Sequence, residues 1–188
     1  MQAFDSLSRN IQQYIYDKGW PSLTRIQNAA IKQVANTDHN LILSAPTASG
    51  KTEAAFIPAL NSVEDWDTGL KVLYISPLKA LINDQFQRIS ELSAYLDIPI
   101  TPWHGEVSQA QKKKVVNQPK GILLITPESI EGMLVNRPGK AQHLFKGVEW
   151  IIIDELHSFL GTERGVHLQS LLQRISQFMQ APRFIAMS

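Results

Sequence analysis

Three residues that can bind phosphate follow a short apolar run in the first third of the chain. The run covers 41–44, and Gly50, Lys51 and Thr52 then open a segment of helix-favouring residues. Backbone N–H groups at a helix N-terminus, a lysine ammonium and a hydroxyl are the groups that bind a triphosphate and its magnesium. The alternative is an ordinary helix N-cap with a surface lysine. The position directly after an apolar strand favours a phosphate-binding loop.

Two adjacent carboxylates follow a second apolar run. Asp154 and Glu155 come directly after 150–153. In phosphoryl chemistry, one carboxylate can hold magnesium, directly or through water, while the next orients and deprotonates the attacking water. Taken alone, the pair is explained equally well as the first turn of a helix, where acidic side chains interact favourably with the helix dipole. Together with the loop at Lys51, the pair predicts an ATPase-type site.

The elements that must position these residues are predicted from hydrophobic patterning. Apolar runs, each ended by turn residues and followed by a segment of helical period, occur at 41–44, 70–76, 98–103, 122–126, 150–154 and 184–187. Consecutive apolar residues indicate strands covered on both faces, and alternation with helices indicates parallel strands. The sequence therefore predicts an α/β fold, a doubly wound and mostly parallel sheet with helices on both faces. Two further helices, at 2–17 and 24–34, precede the first strand.

The composition restricts the class of protein. With 188 residues, of which 44% are hydrophobic and 19% charged, the chain fits one globular domain and not a disordered one. Its net charge of +1 means that any nucleic-acid contact must be local. No cysteine is present, which excludes disulfides, thiolate metal sites and cysteine nucleophiles. The N-terminus lacks a signal-peptide pattern and no apolar run approaches the length of a membrane span, so we expect a cytoplasmic protein with no membrane partner.

The motifs resemble the first RecA-like domain of superfamily 2 DEAD/DEAH-type helicases. APTASGKT at 45–52 resembles motif I, SPLKALINDQ at 76–85 motif Ia, TPES at 126–129 motif Ib, and DELH at 154–157 motif II, in the order of the family. GWPSLTRIQ at 19–27 is similar to the Q motif, although Leu23 and Arg25 stand where that motif usually has prolines. Two segments, WHGEVSQAQKKK at 103–114 and LGTERGVHL at 160–168, are most similar to the large helicase-related (Lhr) group.

This resemblance implies a role for each residue of an ATP and Mg²⁺ site. Asp154 and Thr52 would hold the metal, Glu155 would act as the base, and His157 would couple the site to the cleft between domains, although an ordinary histidine on a helix surface explains His157 nearly as well. Gln27 would bind adenine, because a side-chain amide can pair with N6 and N7; the alternative is an exposed helix residue. The residues expected to surround the phosphates are Thr47, Ala48, Ser49, Gly50, Lys51 and Thr52. Ala45 and Ala48 depart from the pattern, since many relatives have glycine there.

The resemblance also implies contacts to one strand of DNA or RNA. These contacts would come from Pro77, Leu78, Lys79, Gly105, Thr126, Pro127 and Glu128. Backbone N–H groups at helix N-termini can bind phosphates without a high net charge. For either proline-containing turn alone, an ordinary helix start is the simpler interpretation, and the two turns in family order favour binding.

The expected organisation is a single RecA-like domain over 1–188, with N-terminal helices and the Q-like motif at about 1–36 and the P-loop core at 37–188. The partner RecA-like domain and its arginine finger would lie outside this chain. Because an arginine finger contributes about 10³ to 10⁵ in rate, the isolated domain is expected to be nearly inactive. The expected function is ATP-driven unwinding of, or translocation on, nucleic acid. The alternatives are an ATP-controlled nucleic-acid clamp and, less favoured, a small-molecule P-loop phosphotransferase.

Overall fold

The computed structural model describes residues 2–46 and 49–188. The strands in these ranges are β1 (Leu41–Leu43), β2 (Gly69–Ile75), β3 (Ile100–Trp103), β4 (Lys120–Ile125), β5 (Trp150–Ile153) and β6 (Arg183–Met187). The helices are α1 (Arg9–Asp17), α2 (Arg25–Asn36), α3 (Lys51–Ser62), α4 (Lys79–Tyr95), α5 (Gln109–Asn117), α6 (Pro127–Asn136), α7 (Pro138–Phe145) and α8 (Glu163–Ser176). Short 3₁₀ helices lie at Phe4–Ser6 and Leu156–Ser158.

All strand pairs are parallel, and the sheet order is β1-β6-β5-β2-β4-β3. The central strand β2 shows why the sequence forms such a sheet. Val72 and Tyr74 point into one hydrophobic core, whereas Leu73 and Ile75 point into the other. A strand between two cores is apolar at consecutive positions, which is the pattern of 72–75, whereas Lys71 before them forms an ion pair with Glu149. The predicted doubly wound parallel sheet is confirmed.

The N-terminal helices differ from the prediction in one respect. The segment expected as a single helix over 2–17 is divided into the 3₁₀ helix Phe4–Ser6 and α1. Leu7 between them is extended, with φ −83° and ψ 149°, and the Ser8 backbone N–H donates to Asn61 Oδ1 at 2.7 Å. This bond to α3 comes from a residue far along the chain, so helical periodicity alone gave no sign of the break.

Helices α6 and α8 are joined side by side by a charged cluster. Glu131 on α6 accepts hydrogen bonds from both terminal nitrogens of Arg174 on α8, and its carboxylate lies 3.0 Å from His167 Nε2. These hydrogen bonds, led by that of Arg174, lower the pKa of Glu131 to about 2, against a small opposing effect of burial. The cluster fixes the spacing of two helices that both begin at the carboxyl edge of the sheet.

Glu131→Gln should make the folded protein less sensitive to acid. A carboxyl whose pKa is lower in the folded state stabilises the fold above its unfolded pKa, and this contribution is lost as the pH falls toward about 2. The free energy of unfolding of the wild type should therefore fall more steeply than that of the variant between about pH 5 and pH 2. Urea unfolding across this range measures the difference. Parallel pH profiles for the two proteins would contradict the prediction.

Candidate functional site

The loop between β1 and α3 places a glycine where the backbone favours glycine. Gly50 precedes the first residue of α3 with φ 81° and ψ 27°, in the left-handed region. A Cβ atom at this position would lie 2.5 Å from Gln27 Nε2. The left-handed backbone therefore favours glycine, and a larger residue would also displace the Gln27 amide. Thr47 and Ala48, which the sequence places in this loop, lie outside the described residues, so their expected phosphate contacts stay predictions.

Lys51 connects the ends of two neighbouring strands. Its Nζ donates to the Ala45 carbonyl at 2.6 Å and to the Ser188 carbonyl at 3.0 Å. Ala45 follows β1 and Ser188 follows β6. Thr52 is buried next to Lys51 in the first turn of α3. Ser49, two positions before Lys51, has a buried hydroxyl with no hydrogen-bond partner among the described residues. The described residues expected to bind phosphate, Ser49, Gly50, Lys51 and Thr52, thus lie together at one end of the sheet.

Gln27 joins the N-terminus of α2 to this loop. Thr24 and Gln27 form a reciprocal capping box, in which Gln27 Oε1 accepts from the Thr24 backbone N–H at 2.9 Å. Gln27 Nε2 donates to the Gly50 carbonyl at 3.4 Å, and the side chain is almost fully buried. Next to it lies an open cleft of about 650 Å³ lined by Thr24, Arg25, Ile26, Ala29, Ser44, Ala45, Pro46 and Ser49. The cleft is bounded by both the predicted adenine-binding segment and the predicted phosphate loop.

Asp154 is a buried carboxylate at the end of β5. The Tyr74 hydroxyl on the neighbouring strand β2 donates to Asp154 Oδ2, and the Glu155 backbone N–H donates to Oδ1 at 2.9 Å. Burial raises the pKa of Asp154, while the hydrogen bonds from Tyr74 and Glu155 and the charge of Lys51 partly oppose this effect. The same burial and the nearby carboxylate raise the pKa of the Tyr74 hydroxyl, so it acts as a donor. Asp154 is therefore held in one orientation.

Glu155 has an unusual backbone and an accessible side chain. Its φ of 49° and ψ of 46° lie in the left-handed region, which costs a non-glycine residue about 1–2 kcal/mol. The carboxylate lies 3.2 Å from His157 Nε2, and His157 Nδ1 lies 3.3 Å from Ser188 Oγ. Because Ser188 also accepts from Lys51, a continuous set of contacts joins the predicted base to the predicted phosphate-binding lysine. Strained residues of this kind are concentrated at functional sites.

The first group of predicted nucleic-acid residues lies at the start of α4. Pro77 and Leu78 follow β2, and the α4 N-cap at Leu78 has no side-chain capping bond, so the first-turn N–H groups are uncapped by side chains. Lys79 forms an ion pair with Glu106. Gly105, beside Glu106, is exposed just after the end of β3. The space that a side chain would occupy at this position is open to a distance of 4 Å. The structure thus places the Gly105 turn against the start of α4.

The second group lies at the start of α6. Thr126 Oγ1 caps the helix by accepting from the Ser129 N–H at 3.3 Å, and Pro127 occupies the first turn. Glu128 Oε1 accepts from Arg164 Nη2 at 2.6 Å. Burial raises the pKa of Glu128, but the hydrogen bonds from its own N–H and from Arg164 outweigh this and hold the pKa below its usual range. The Glu128 carboxylate is thus neutralised by an arginine on another helix.

The predicted residues form two groups along one edge of the sheet. Those expected to bind phosphate and metal follow β1 and β5, beside β6, with Gln27 of α2 next to the β1 loop, whereas those expected to bind nucleic acid follow β2, β4 and β3. The two groups meet at the β5–β2 boundary, which the Tyr74–Asp154 hydrogen bond crosses. No helix in the described ranges is long and apolar enough to cross a membrane.

Comparison with known proteins decides the family. The sequence profile of the DEAD/DEAH box helicases matches residues 24–188, which include every motif described above except the beginning of the Q-like segment. The chain belongs to the DEAD/DEAH box helicases. The predicted family is confirmed, and the relatives below show that this helicase domain is of the Lhr type.

Three relatives define this similarity. The chain is 31% identical over 180 residues to the ATP-dependent helicase Lhr-Core of Saccharolobus solfataricus, which covers 88% of this chain and 20% of that protein. It is 34% identical over 180 residues to the Lhr helicase/uracil glycosylase of Escherichia coli, covering 83% of this chain and 11% of that protein. Its structure is similar to that of Mycobacterium smegmatis helicase Lhr bound to ssDNA and AMP-PNP, with a TM-score of 0.87 and 27% identity over 100% of this chain and 25% of that chain. The chain spans a quarter or less of the length of each.

Two residues of this helicase domain were missed by the sequence reasoning. Tyr74 lies in the middle of an apolar run, where its hydroxyl was the only sign of a polar role. Arg164 lies ten positions after Asp154 and contacts the turns that follow β2 and β4. Spacing along the sequence could not reveal either contact, because both join elements far apart in the chain.

Tyr74→Phe should lower the free energy of unfolding by about 1.5–3 kcal/mol, because it removes a buried hydrogen bond to a charged group and leaves the ring in place. Tyr95→Phe is the matched control, since the Tyr95 hydroxyl donates to Asp17 at 2.7 Å on the surface. The control should change stability by no more than about 0.5 kcal/mol. Chemical denaturation of both variants measures the two effects. Equal losses would show that the Tyr74 hydroxyl contributes nothing specific to its buried position.

Proposed function

We propose that the chain is the first RecA-like domain of an ATP-dependent helicase or translocase that acts on DNA or RNA. The observation that carries the proposal is the set of contacts through Ser188, which joins Lys51 of motif I to His157 and Glu155 of motif II. This arrangement gives a triphosphate a cation at one end and a carboxylate base at the other. The binding of ssDNA and AMP-PNP by the similar Lhr helicase supports both ligands.

The residues fit magnesium bound with the nucleotide. Thr52 offers a hydroxyl at the start of α3 and Asp154 a carboxylate at the end of β5, and oxygen donors are the ligands that Mg²⁺ prefers. When bound, Mg²⁺ would neutralise charge on the outer phosphates. Lys51 would bind the same phosphates from the other side after leaving the carbonyls of Ala45 and Ser188. Glu155 would take the proton of the attacking water.

The nucleic-acid contacts would come from the other half of the same edge. The first turn of α4, with the Gly105 turn against it, presents backbone N–H groups that no side chain caps. The start of α6, where Pro127 has no N–H and Thr126 caps the Ser129 N–H, lies at the neighbouring strand end. Backbone N–H groups bind phosphates of either polymer without reading the bases. A second RecA-like domain of the complete protein would close over ATP from the opposite side and supply the arginine finger, with 1–36 and 37–188 acting as one domain. We expect a cytoplasmic location, where ATP and nucleic acid are both available.

The test is steady-state ATP hydrolysis by the protein expressed from its complete reading frame, with and without single-stranded DNA, single-stranded RNA and duplexes. Strong stimulation by one polymer, abolished in Lys51→Ala, would support a nucleic-acid motor and identify its substrate. Strand displacement with the same polymer then separates a helicase from an ATP-controlled clamp. Hydrolysis that no polymer changes would refute the motor and favour a phosphotransferase acting on a small molecule.

Glu155→Gln should stop hydrolysis while leaving nucleotide affinity within about threefold of the wild type, because an amide cannot accept the proton of water but can still occupy the space of the carboxylate. We expect a loss of at least about 10²-fold in turnover number, the usual contribution of a general base. Binding of a fluorescent ATP analogue with magnesium measures the nucleotide affinity of the wild type and the variant, for comparison with their turnover numbers. Equal losses of affinity and turnover would identify Glu155 as a structural residue.

Gln27 should make the protein prefer ATP to GTP. Its amide already bonds to Thr24 and Gly50, but the carbonyl oxygen keeps a second lone pair and the nitrogen a second hydrogen for adenine. The wild type should bind ATP about tenfold more tightly than GTP, equivalent to one good bidentate pair, and Gln27→Ala should lose the preference. Competition binding with ATP and GTP measures the ratio of the two affinities. Equal affinities in the wild type would refute adenine reading by Gln27.

A further inference from the structure

Arg164 is the point at which three functional segments meet. From the first turn of α8, its Nη2 donates to the Pro77 carbonyl at 2.7 Å and to Glu128 Oε1 at 2.6 Å. Pro77 belongs to the turn after β2, and Glu128 belongs to the first turn of α6. A single nitrogen therefore holds two turns that the proposed function assigns to nucleic-acid binding.

The N-terminus of α8 is in turn fixed to the segment that follows Asp154 and Glu155. Thr162, the N-cap of α8, donates its hydroxyl to the Phe159 carbonyl at 2.9 Å and accepts from the Gly165 N–H at 3.1 Å. Gly165 packs so closely on this turn that a Cβ atom would lie 1.9 Å from the Phe159 carbonyl oxygen. Phe159 itself is buried and its N–H donates to Leu156 in the 3₁₀ helix that begins after Glu155. Backbone hydrogen bonds from Ser158 to Glu155, from Phe159 to Leu156 and from Thr162 to Phe159 thus link Glu155 to the start of α8.

The contact uses the length and the planar group of the Arg164 side chain. The Arg164 guanidinium lies 5.8 Å from the centre of the Phe159 ring, so the turn after motif II also sets its orientation. A lysine carries the same charge but is shorter and lacks the planar group that stacks on an aromatic ring. Because one nitrogen of Arg164 makes both hydrogen bonds, a lysine ammonium has enough donors, but its shorter side chain would not bring them to both acceptors and has no plane to stack on Phe159. Arg164→Lys therefore keeps the charge and removes the reach and the ring contact.

We propose that Arg164 is a positioning residue that couples the ATP site to the two nucleic-acid turns. The inference rests on the proposed function, because it assigns to Arg164 the transmission between the two sites of that function. A displacement of Glu155 and the 3₁₀ helix on nucleotide binding would move α8 and, through Arg164, the turns at Pro77 and Glu128 together. A chain of contacts is only an indication of coupling, so the coupling itself has to be measured.

The same pair of helices provides a matched control. Arg174 on α8 also forms an ion pair with a glutamate on α6, Glu131, but this pair lies three helical turns from Arg164 and does not touch the Pro77 turn. Both arginine side chains are about 40% exposed. Arg174→Lys therefore changes an α6–α8 arginine–glutamate pair of similar exposure without affecting the proposed connection.

The experiment measures the affinity of the complete protein for AMP-PNP with magnesium, with and without a saturating single strand that the wild type binds. The ratio of the two affinities is the coupling factor, and typical values are about 5- to 150-fold. In Arg164→Lys, AMP-PNP affinity without the strand should stay within about twofold of the wild type, while the coupling factor should fall to about twofold or less. Arg174→Lys should keep the wild-type factor. Thermal unfolding of both variants is recorded in parallel.

Several outcomes would overturn the inference. Retained coupling in Arg164→Lys, or equal loss in Arg174→Lys, would show that Arg164 has no special role. A strand affinity lowered by the same factor with and without AMP-PNP would identify Arg164 as a plain phosphate contact. If Arg164→Lys does not fold, Arg164→Met, which keeps the stem on Phe159, is judged by the same criteria. A wild type that binds no strand would refute the proposed function itself, and that result is visible before any variant is compared.

Discussion

The structure depends on a parallel sheet that is buried on both faces. Such a sheet has no polar surface of its own, so polar chemistry is confined to the edge where the strands end. Parallel direction then brings all the carboxyl ends to the same edge. Residues as distant in sequence as Lys51 and Ser188 meet there because β1 and β6 are neighbours. The two hydrophobic cores on either side of β2 thus stabilise the fold and also restrict the polar residues of the site to the strand ends.

Local patterns were enough to predict the strands, the phosphate loop and the carboxylate pair. Each of these depends on residues next to one another in the chain, such as Gly50 before Lys51 or Asp154 directly after β5. What could not be predicted are contacts set by strand order. Tyr74 meets Asp154 only because β2 lies beside β5, and Arg164 meets Glu128 only because α6 and α8 start at the same edge. The break at Leu7 has the same origin, since Asn61 lies far along the chain.

The site contains features that oppose stability. Asp154 is a carboxylate buried from water, and Glu155 has a left-handed backbone. Both follow β5, whose residues Trp150–Ile153 are all buried between β2 and β6. A segment fixed on both sides can hold strained residues in a single conformation. The rigidity that stabilises the sheet therefore also keeps the carboxylates in place.

The hydrogen bonds of Lys51 would compete with a phosphate at the proposed site. The ammonium donates to two carbonyls of the chain, so a phosphate would have to replace these bonds, and their free energy would be subtracted from its affinity. One of the carbonyls belongs to Ser188, whose hydroxyl lies against His157. A phosphate that attracted Lys51 would leave the Ser188 carbonyl with the Ala45 N–H as its donor. Binding at the proposed phosphate site would thus change the contacts of a strand end that also touches motif II.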